Sequence, residues 1–268
     1  MPAEAEAFNA LIDRIGVRAS FAPKTAIFYE GNPAANIYKV VGGSVFTCKT
    51  LSDGRRQIVS FYLPGDCFGF ECTEEHTLSA EVVSNAKVLA IKKSALAAAA
   101  SRDAGIQRQI LSLMASELAR LQDRVLFLLK NAQERVGEFI LDMEKRAAVG
   151  NYVELPMLRH DIADYLGLTI ETISRILTAL EKYGAIEIMS RHGILIRNHS
   201  LLKNVMADQD KMSTFRSYLR KSTDENCRQV DRRRTRSQHR SAGDIRSTRR
   251  RLPWNDSAGV SEVRRSKQ

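Results

Sequence analysis

Residues 159–184 have the sequence Arg159-His-Asp-Ile-Ala-Asp-Tyr-Leu-Gly-Leu-Thr-Ile-Glu-Thr-Ile-Ser-Arg-Ile-Leu-Thr-Ala-Leu-Glu-Lys-Tyr-Gly184. Apolar residues recur every three or four positions on both sides of Gly167, which predicts two helices joined by a tight turn. Thr169 is placed to cap the N-terminus of the second helix, and Gly184 suits the position just past its C-terminus. This pattern is typical of a helix-turn-helix, whose second helix enters the major groove of DNA.

The second helix has two faces of opposite character. The face that we expect to pack inside the domain consists of Ile173, Ile176, Leu177 and Leu180. The face that is left to enter a groove consists of Glu171, Ser174, Arg175 and Thr178. Both sets follow the i, i+3, i+4, i+7 spacing of a single helix face.

The polar face carries residue types that recognise base edges. Arg175 can donate two hydrogen bonds to O6 and N7 of guanine, and Glu171 can accept one from N4 of cytosine. Ser174 can bond a base or a phosphate, so the trio is suited to a site that contains a G·C pair. The alternative is an exposed helix on which Glu171 and Arg175 only form an i,i+4 ion pair, worth about 0.2–0.5 kcal/mol.

A short hairpin is predicted after this helix, with Ser190-Arg-His-Gly193 at its tip. Wings of this kind commonly support a recognition helix by touching phosphate, so we expect backbone contacts from Arg191 and His192. Thr169, Thr172 and Thr178 are the supporting contacts that we expect from the helix and its cap.

Residues 21–91 are typical of short strands joined by glycine turns, which predicts a β-roll or barrel. Asp53-Gly54 lies between two strand-like runs and predicts a hairpin, and Pro64-Gly65-Asp66 predicts another turn. The Gly42-Gly43 pair separates two further strand-like runs, residues 37–41 and 44–50, and the last two runs are residues 81–83 and 87–91. The predicted core consists of Ile37, Val40, Val45, Ile58, Phe61 and Val88. Arg55 and Arg56 in the hairpin are interpreted as solvated charges.

A heptad pattern begins beyond residue 98. Its apolar positions, spaced alternately by three and four, are Leu111, Met114, Leu118, Leu121, Val125 and Leu128. Such spacing favours the seam of a parallel dimer; the alternative is one buried helix in a monomer. A second apolar face, which we expect to pack on the protein's own domains, consists of Ile110, Leu113, Leu126 and Leu129.

The net charge of +10 is carried almost entirely by the end of the chain. Residues 208–268 contain 17 Lys+Arg and 8 Asp+Glu, whereas residues 1–207 contain 24 and 23. The former have too few apolar residues to offset the entropy of ordering, which predicts a disordered tail. No stretch approaches the roughly 18 apolar residues of a membrane span, and no secretory signal is recognised, so we expect a cytoplasmic protein without membrane contact.

Four stretches resemble the Crp/Fnr family of transcription regulators, and most of all its FNR–FixK branch. They are Asp53-Gly-Arg-Arg-Gln-Ile-Val-Ser-Phe-Tyr-Leu-Pro-Gly-Asp66 with Phe68-Gly-Phe70, Ala132-Gln-Glu-Arg-Val136, Asp161-Ile-Ala-Asp-Tyr-Leu-Gly-Leu-Thr-Ile-Glu-Thr-Ile-Ser-Arg175, and the wing. The resemblance covers roughly residues 21–205.

This resemblance implies an α+β fold with a cyclic-nucleotide-binding-like β-roll, a long dimerisation helix and a C-terminal winged helix-turn-helix. The implied division is an N-terminal arm (1–20), the β-roll sensor domain (21–98), the dimerisation helix (99–131), the DNA-binding domain (132–205) and the basic tail (206–268). It further implies a homodimer that binds double-stranded DNA at a palindrome resembling TTGAT-N4-ATCAA and contacts RNA polymerase as an activator. Glu171, Ser174 and Arg175 match the family's base-contacting positions, and FixK-like members control microaerobic and nitrogen-fixation genes.

Two cofactor sites of related regulators are not matched. FNR holds a [4Fe–4S] cluster largely on cysteines near its N-terminus, whereas the first cysteine here is Cys48. Cyclic-AMP receptors hold the cyclic phosphate with an arginine followed by a small hydroxyl residue, and the matching positions are Leu78 and Ser79. Leucine cannot neutralise phosphate, and Phe70 replaces a glutamate of those receptors. We therefore expect no cofactor; the alternative is a ligand-gated regulator that responds to a cyclic nucleotide or another small effector in the β-roll.

The remaining reactive residues are few. Cys67 and Cys72 lie five residues apart and form a candidate redox pair; the alternative is a pair of inert thiols. The five histidines are scattered, and we expect each to be structural or on the surface. Neither a metal site nor a nucleophile–base set is recognised, so we expect no metal and no enzymatic activity.

Overall fold

The computed structural model describes residues 2–71 and 73–207, with the side chains of residues 6–71 and 73–203. The predicted fold class is confirmed, because a β-roll, a long helix and a winged helix-turn-helix follow one another along the chain. Cys72 and the predicted basic tail from residue 208 onward lie outside the described residues. Within the described part of the chain, no helix combines the length and the apolar character that crossing a membrane requires.

The β-roll consists of six antiparallel strands. They are β1 (Val17–Phe21), β2 (Ala26–Phe28), β3 (Asn36–Thr50), β4 (Arg56–Tyr62), β5 (Cys67–Phe68) and β6 (Ser79–Lys92). The strand order is β1-β6-β3-β4, with β2 paired to β6 and β5 paired to β3. All six predicted core residues, Ile37, Val40, Val45, Ile58, Phe61 and Val88, are buried. The three valines lie in the core of the roll, Ile37 packs with the N-terminal helix, and Ile58 and Phe61 pack with the C-terminal domain.

The hairpin between β3 and β4 forms where Asp53-Gly54 predicts it. Gly54 has a φ of +82°, which L-residues with side chains rarely adopt. The Asp53 carboxylate accepts hydrogen bonds from the Arg55 amide at 3.0 Å and from Arg55 Nε at 2.7 Å, which stabilises the turn.

The prediction that Gly42-Gly43 separates two strands is wrong, because β3 runs unbroken through both glycines. The glycines produce β-bulges instead of a turn, and the register of β3 against β6 shifts there. At Gly43 the φ is +74°, and an added Cβ would lie 2.1 Å from the Asn85 carbonyl oxygen. Only glycine therefore allows β3 and β6 to approach so closely. Likewise, the two predicted runs at residues 81–83 and 87–91 are parts of β6.

The N-terminal arm contains a helix, α1 (Pro2–Ile15), and the roll begins at Val17 rather than at residue 21. Phe8 and Ile12 of α1 are buried in a cluster with Leu89 and Ile106. The arm is thus part of the folded body. Beyond the roll, α2 (Lys93–Ala100) and the 25-residue α3 (Ala104–Leu128) replace the single helix predicted for residues 99–131.

The winged helix-turn-helix domain begins with α4 (Ala132–Ala147), whose N-terminus has a capping box formed by Asn131 and Glu134. The remaining elements are β7 (Ala148–Val149), β8 (Tyr152–Glu154), α5 (Arg159–Leu166), α6 (Ile170–Lys182), β9 (Ile186–Ile188), β10 (Gly193–Ile196) and α7 (His199–Ala207). The four strands form one sheet in the order β7-β8-β10-β9. One continuous core joins the roll to this domain, and the ring of Phe61 lies 5.0 Å from that of Tyr165.

Candidate DNA-binding site

The predicted helix-turn-helix is formed by α5, a three-residue turn and α6. Gly167 ends α5 in the left-handed region, with a φ of +63°, which explains why glycine suits this position. The hydroxyl of Thr169 accepts a hydrogen bond from the Thr172 amide at 3.2 Å, so Thr169 is the N-cap of α6, as predicted.

The two faces of α6 are oriented as their periodicity predicts. Ile173, Ile176, Leu177 and Leu180 are each at most 3% exposed. Glu171, Ser174, Arg175 and Thr178 are exposed on the opposite side. The structure therefore brings the predicted base-contacting trio together on one accessible surface.

Glu171 and Arg175 do not form the ion pair that the alternative interpretation requires. Among the described residues, no carboxylate lies within salt-bridge distance of Arg175. The pKa of Glu171 is lowered by hydrogen bonds from its own backbone amide and from Thr169, and then by the charge of Arg175. Glu171 is thus a charged acceptor, and Arg175 keeps its hydrogen-bond donors available.

The wing consists of β9, β10 and the turn at residues 189–192. Arg191 is exposed at this turn, whereas His192 is half-buried. Nδ1 of His192 lies 2.9 Å from the carbonyl oxygen of Leu155, the residue that follows β8, and this contact orients the ring. Contacts of Arg191, His192, Thr169, Thr172 and Thr178 with phosphate stay predictions.

The six residues of the predicted seam are exposed on α3, at 37% to 63% of their surface. They are Leu111, Met114, Leu118, Leu121, Val125 and Leu128. Other residues of α3 face the protein's own body, about 100° around the helix axis from the seam. They include Ile106, Ile110, Leu113, Arg120 and Arg124. The seam is thus an apolar surface that the described residues leave uncovered.

Only two of the four residues of the second apolar face pack on the protein's own body, as predicted. Ile110 and Leu113 do pack on the cluster formed by α1 and the roll. The expectation for Leu126 and Leu129 is wrong, because these side chains are 60% and 81% exposed. Both lie near the C-terminal end of α3, where the inward positions are filled by Arg124 and Phe127.

A cleft of about 280 Å³ lies between the roll and α3, where a cyclic nucleotide would have to fit. Asp66 and Glu117 both line it, and the two arginines there are already paired, Arg120 with both carboxylates and Arg146 with Asp66. On the roll, the hydroxyl of Ser79 accepts a hydrogen bond from the Glu30 amide at 3.0 Å. A cyclic phosphate would face two carboxylates and no free guanidinium, so the residues present do not fit this ligand.

Cys48 and Cys67 are both buried, and burial raises the pKa of each thiol to about 11. For Cys48 the nearby carboxylate of Glu81 adds to this effect. The partner of the predicted redox pair, Cys72, lies outside the described residues. Among the histidines, His76 is buried and stacks on Phe28 with 3.5 Å between ring centroids, which is a structural role, as expected.

Arg56 is not the solvated charge that the sequence suggests. Its Nη2 lies 2.7 Å from Asp161 Oδ1 and 2.8 Å from Asp164 Oδ2, on α5. The neighbouring Arg55 is solvated, and within the described part of the chain its one ion pair is with Asp53 of its own turn. The contact of Arg56 with α5 spans more than a hundred residues of chain, so no local pattern in the sequence could indicate it.

Comparisons with known proteins agree with this geometry. Residues 18–103 match the cyclic nucleotide-binding domain, and residues 134–205 match the Crp-like helix-turn-helix domain. The chain is 44% identical over 201 residues to the nitrogen fixation regulation protein FixK of Azorhizobium caulinodans, which covers 73% of this chain and 81% of that protein. It is 38% identical over 196 residues to the protein of the same name from Rhizobium meliloti, which covers 70% and 86%.

The solved structure of FixK2 from Bradyrhizobium japonicum is also similar. It is 42% identical, covers 72% of this chain and 98% of its own, and has a TM-score of 0.69. These relatives are regulators rather than enzymes, in agreement with the absence of enzymatic activity expected from the sequence. A winged helix-turn-helix with an exposed polar face, joined to a β-roll and matched by these proteins, places the chain in the Crp/Fnr family of DNA-binding transcription regulators, within its FixK-type branch.

Proposed function

We propose that the protein is a homodimeric activator that binds a palindrome resembling TTGAT-N4-ATCAA and regulates genes of microaerobic metabolism and nitrogen fixation. The observation that carries the proposal is the exposed polar face of α6, on which Glu171, Ser174 and Arg175 lie opposite a fully buried apolar face. The names of its FixK relatives support the physiological role.

The base recognition follows from the chemistry of this face. Arg175 would donate to O6 and N7 of the guanine in each TTGAT half-site, and Glu171 would accept from N4 of the paired cytosine. Because the two side chains form no salt bridge with each other, neither has to break an ion pair before it reaches the groove. Ser174 and the wing residue Arg191 would add contacts that fix the register on the duplex.

Dimerisation is supported by the exposed seam on α3. Six large apolar side chains in heptad spacing form a continuous exposed stripe, which is unusual for a surface that stays in water. A second copy of the same helix would cover this stripe and place two α6 helices on the same side of the dimer. Two such helices require an operator with two-fold symmetry, which is what a palindrome provides.

We further propose that DNA binding needs neither a cofactor nor a small effector. The apolar Leu78 and the carboxylates of Asp66 and Glu117 in the adjoining cleft both argue against a phosphate ligand in or beside the roll. The protein would then bind its operator as soon as it is synthesised.

Footprinting of the full chain on a duplex with TTGAT-N4-ATCAA tests these points. Without added ligand, we expect protection of both half-sites, and we expect it to vanish when the G·C pair of each half-site is replaced by A·T. Protection that appears only after a cyclic nucleotide is added would favour a ligand-gated regulator instead. Transcription in vitro with RNA polymerase then shows whether binding activates the promoter.

A further inference from the structure

The C-terminal turn of α5 is held by three side chains from outside the helix-turn-helix. Nε2 of Gln57 donates to the Asp164 carbonyl oxygen at 2.6 Å. Arg124 donates to the carbonyl oxygen of Tyr165, and Nη1 of Arg135 donates to that of Leu166 at 2.6 Å. These three donors come from β4, α3 and α4, so three separate parts of the protein meet at one helix end.

Together with the turn at Gly167, these contacts give every carbonyl group in the last turn of α5 a hydrogen-bond donor. The last four carbonyl groups of an α-helix lack partners within the helix, and α5 is only eight residues long. The first of the four, that of Ala163, accepts from the amides of Gly167 and Leu168 in the turn. The other three are the acceptors of Gln57, Arg124 and Arg135, so the orientation of α5 depends on side chains of the roll, α3 and α4.

Charged contacts strengthen the same attachment. Arg56 pairs with Asp161 and Asp164, and Asp161 is only 5% exposed. A buried carboxylate is costly unless it is paired, so Asp161 favours the arrangement in which Arg56 reaches it. On the other side, the guanidinium of Arg124 lies 3.9 Å from the centroid of the Tyr165 ring, a cation–π contact.

The contacts that hold α5 also position the recognition helix α6, because the two helices pack against each other. The α5 and α6 helices are joined by the turn at Gly167 and share a core that includes Ile162, Leu166 and Ile173. Arg124 lies on α3 directly beside the seam residue Val125. The dimer seam and the DNA-reading face are thus connected by one packed helix end.

We propose that Arg56, Gln57 and Arg124 are positioning residues that set the spacing of the two half-sites the dimer accepts. They hold α5, and with it α6, at a fixed orientation to the roll and to the end of α3. In a symmetric dimer this orientation determines the separation of the two recognition helices, which must match about one turn of DNA. The inference rests on the proposed dimeric, palindrome-binding function and extends it to the determinant of operator geometry.

The test measures binding of full-length protein to duplexes whose half-sites are separated by three, four or five base pairs, and to a duplex with a single half-site. The variants are Arg56→Ala and Gln57→Ala, and Arg55→Ala is the matched control because, among the described residues, its side chain forms an ion pair with Asp53 of its own turn and none with α5. For the wild type we expect binding about tenfold tighter with the four-base spacer than with the other two. For both variants we expect this ratio to fall to roughly threefold or less, whereas discrimination at the G·C pair within a half-site stays unchanged.

The outcomes separate the inference from the proposed function. If the wild type shows no preference for the palindrome over unrelated DNA, the proposed function fails and the inference with it. If the wild type prefers the four-base spacer and both variants keep that preference undiminished, only the inference is overturned. Should Arg56→Ala unfold because Asp161 loses its arginine partner, Gln57→Ala decides alone, since it removes no charged group.

Discussion

Nη2 of Arg146 lies 2.7 Å from Oδ2 of Asp66, and this pair joins α4 of the DNA-binding domain to the turn after β4 in the roll. Arg146 also donates to the Phe61 carbonyl oxygen at 2.8 Å. The same carboxylate accepts from the Leu63 amide at 2.8 Å and lies 3.8 Å from Arg120 of α3. Asp66 is therefore the point at which the roll, the long helix and the DNA-binding domain meet.

We expect Arg146→Ala to lower the free energy of unfolding by about 1–3 kcal/mol, because it leaves a partly buried carboxylate and a carbonyl without their charged donor. Urea denaturation followed by circular dichroism measures this. Lys145→Ala is the control, since the adjacent lysine is exposed and should change stability little. Equal midpoints for the two variants would show that the Arg146–Asp66 contact does not stabilise the fold.

Replacing Arg175 tests the recognition chemistry directly. We expect Arg175→Ala to weaken binding to the palindrome by about 1–3 kcal/mol per half-site, because two hydrogen bonds to guanine are lost. Arg175→Lys keeps the charge but not the two-pronged guanidinium, so it should retain affinity for unrelated DNA and still lose the preference for G·C. Fluorescence anisotropy with matched and G·C-replaced duplexes measures both effects. Full discrimination by either variant at this base pair would contradict the assignment.

The structural features that the sequence predicts correctly are those that depend on residues close together in the chain. The N-cap at Thr169, the turn at Gly167 and the two faces of α6 depend on residues a few positions apart, so periodicity and residue type were enough to predict them. The heptad stripe on α3 depends on the same short-range spacing, and its exposure agrees with the pattern, whereas the dimer itself stays a prediction. The helix over residues 2–15 carries no comparably clear signal, because its burial depends on Phe8 and Ile12 meeting distant parts of the roll.

What the sequence did not indicate depends on contacts between distant segments. Gly42-Gly43 has the composition of a turn, but its role is set by the close approach of Asn85 on another strand. Arg56 has the pattern of a solvated hairpin charge, but Asp161 and Asp164 are brought to it only by packing of α5 on the roll. Leu126 and Leu129 continue an apolar pattern for which the body of the protein provides no surface.

A charge in the seam should abolish dimerisation. We expect Leu118→Asp to give a monomer at micromolar concentration, because two aspartates would face each other in an apolar interface. Ala119→Asp adds the same charge one residue further on, on an exposed side of α3 away from the seam, and should leave the dimer intact. Sedimentation velocity over a dilution series measures the state of both. A wild-type monomer, or a Leu118→Asp dimer, would refute the role of the seam.

The buried thiols should be inert in the native protein. We expect Cys48 and Cys67 to react with iodoacetamide at pH 8 much more slowly than the same thiols in urea, because the pKa of each is raised to about 11 and the thiolate is the reactive form. The measurement uses a Cys72→Ser, Cys227→Ser variant, so that only these two thiols remain, and counts alkylated sites by mass spectrometry. Rapid native alkylation of Cys67 would restore the case for a redox role.

The same raised pKa values predict how stability depends on pH in the alkaline range. A thiol whose pKa is higher in the folded than in the unfolded state contributes stability that is complete below pH 9.0, the ordinary thiol pKa, and is lost as the pH rises through about 11. We therefore expect the free energy of unfolding to fall between these values more steeply than in a Cys48→Ala, Cys67→Ala variant, which shares every other titrating group. Urea midpoints measured at pH 8, 9.5 and 10.5 provide the comparison. Parallel declines in the two proteins would mean that other groups carry the alkaline destabilisation and that burial of these thiols does not oppose their ionisation.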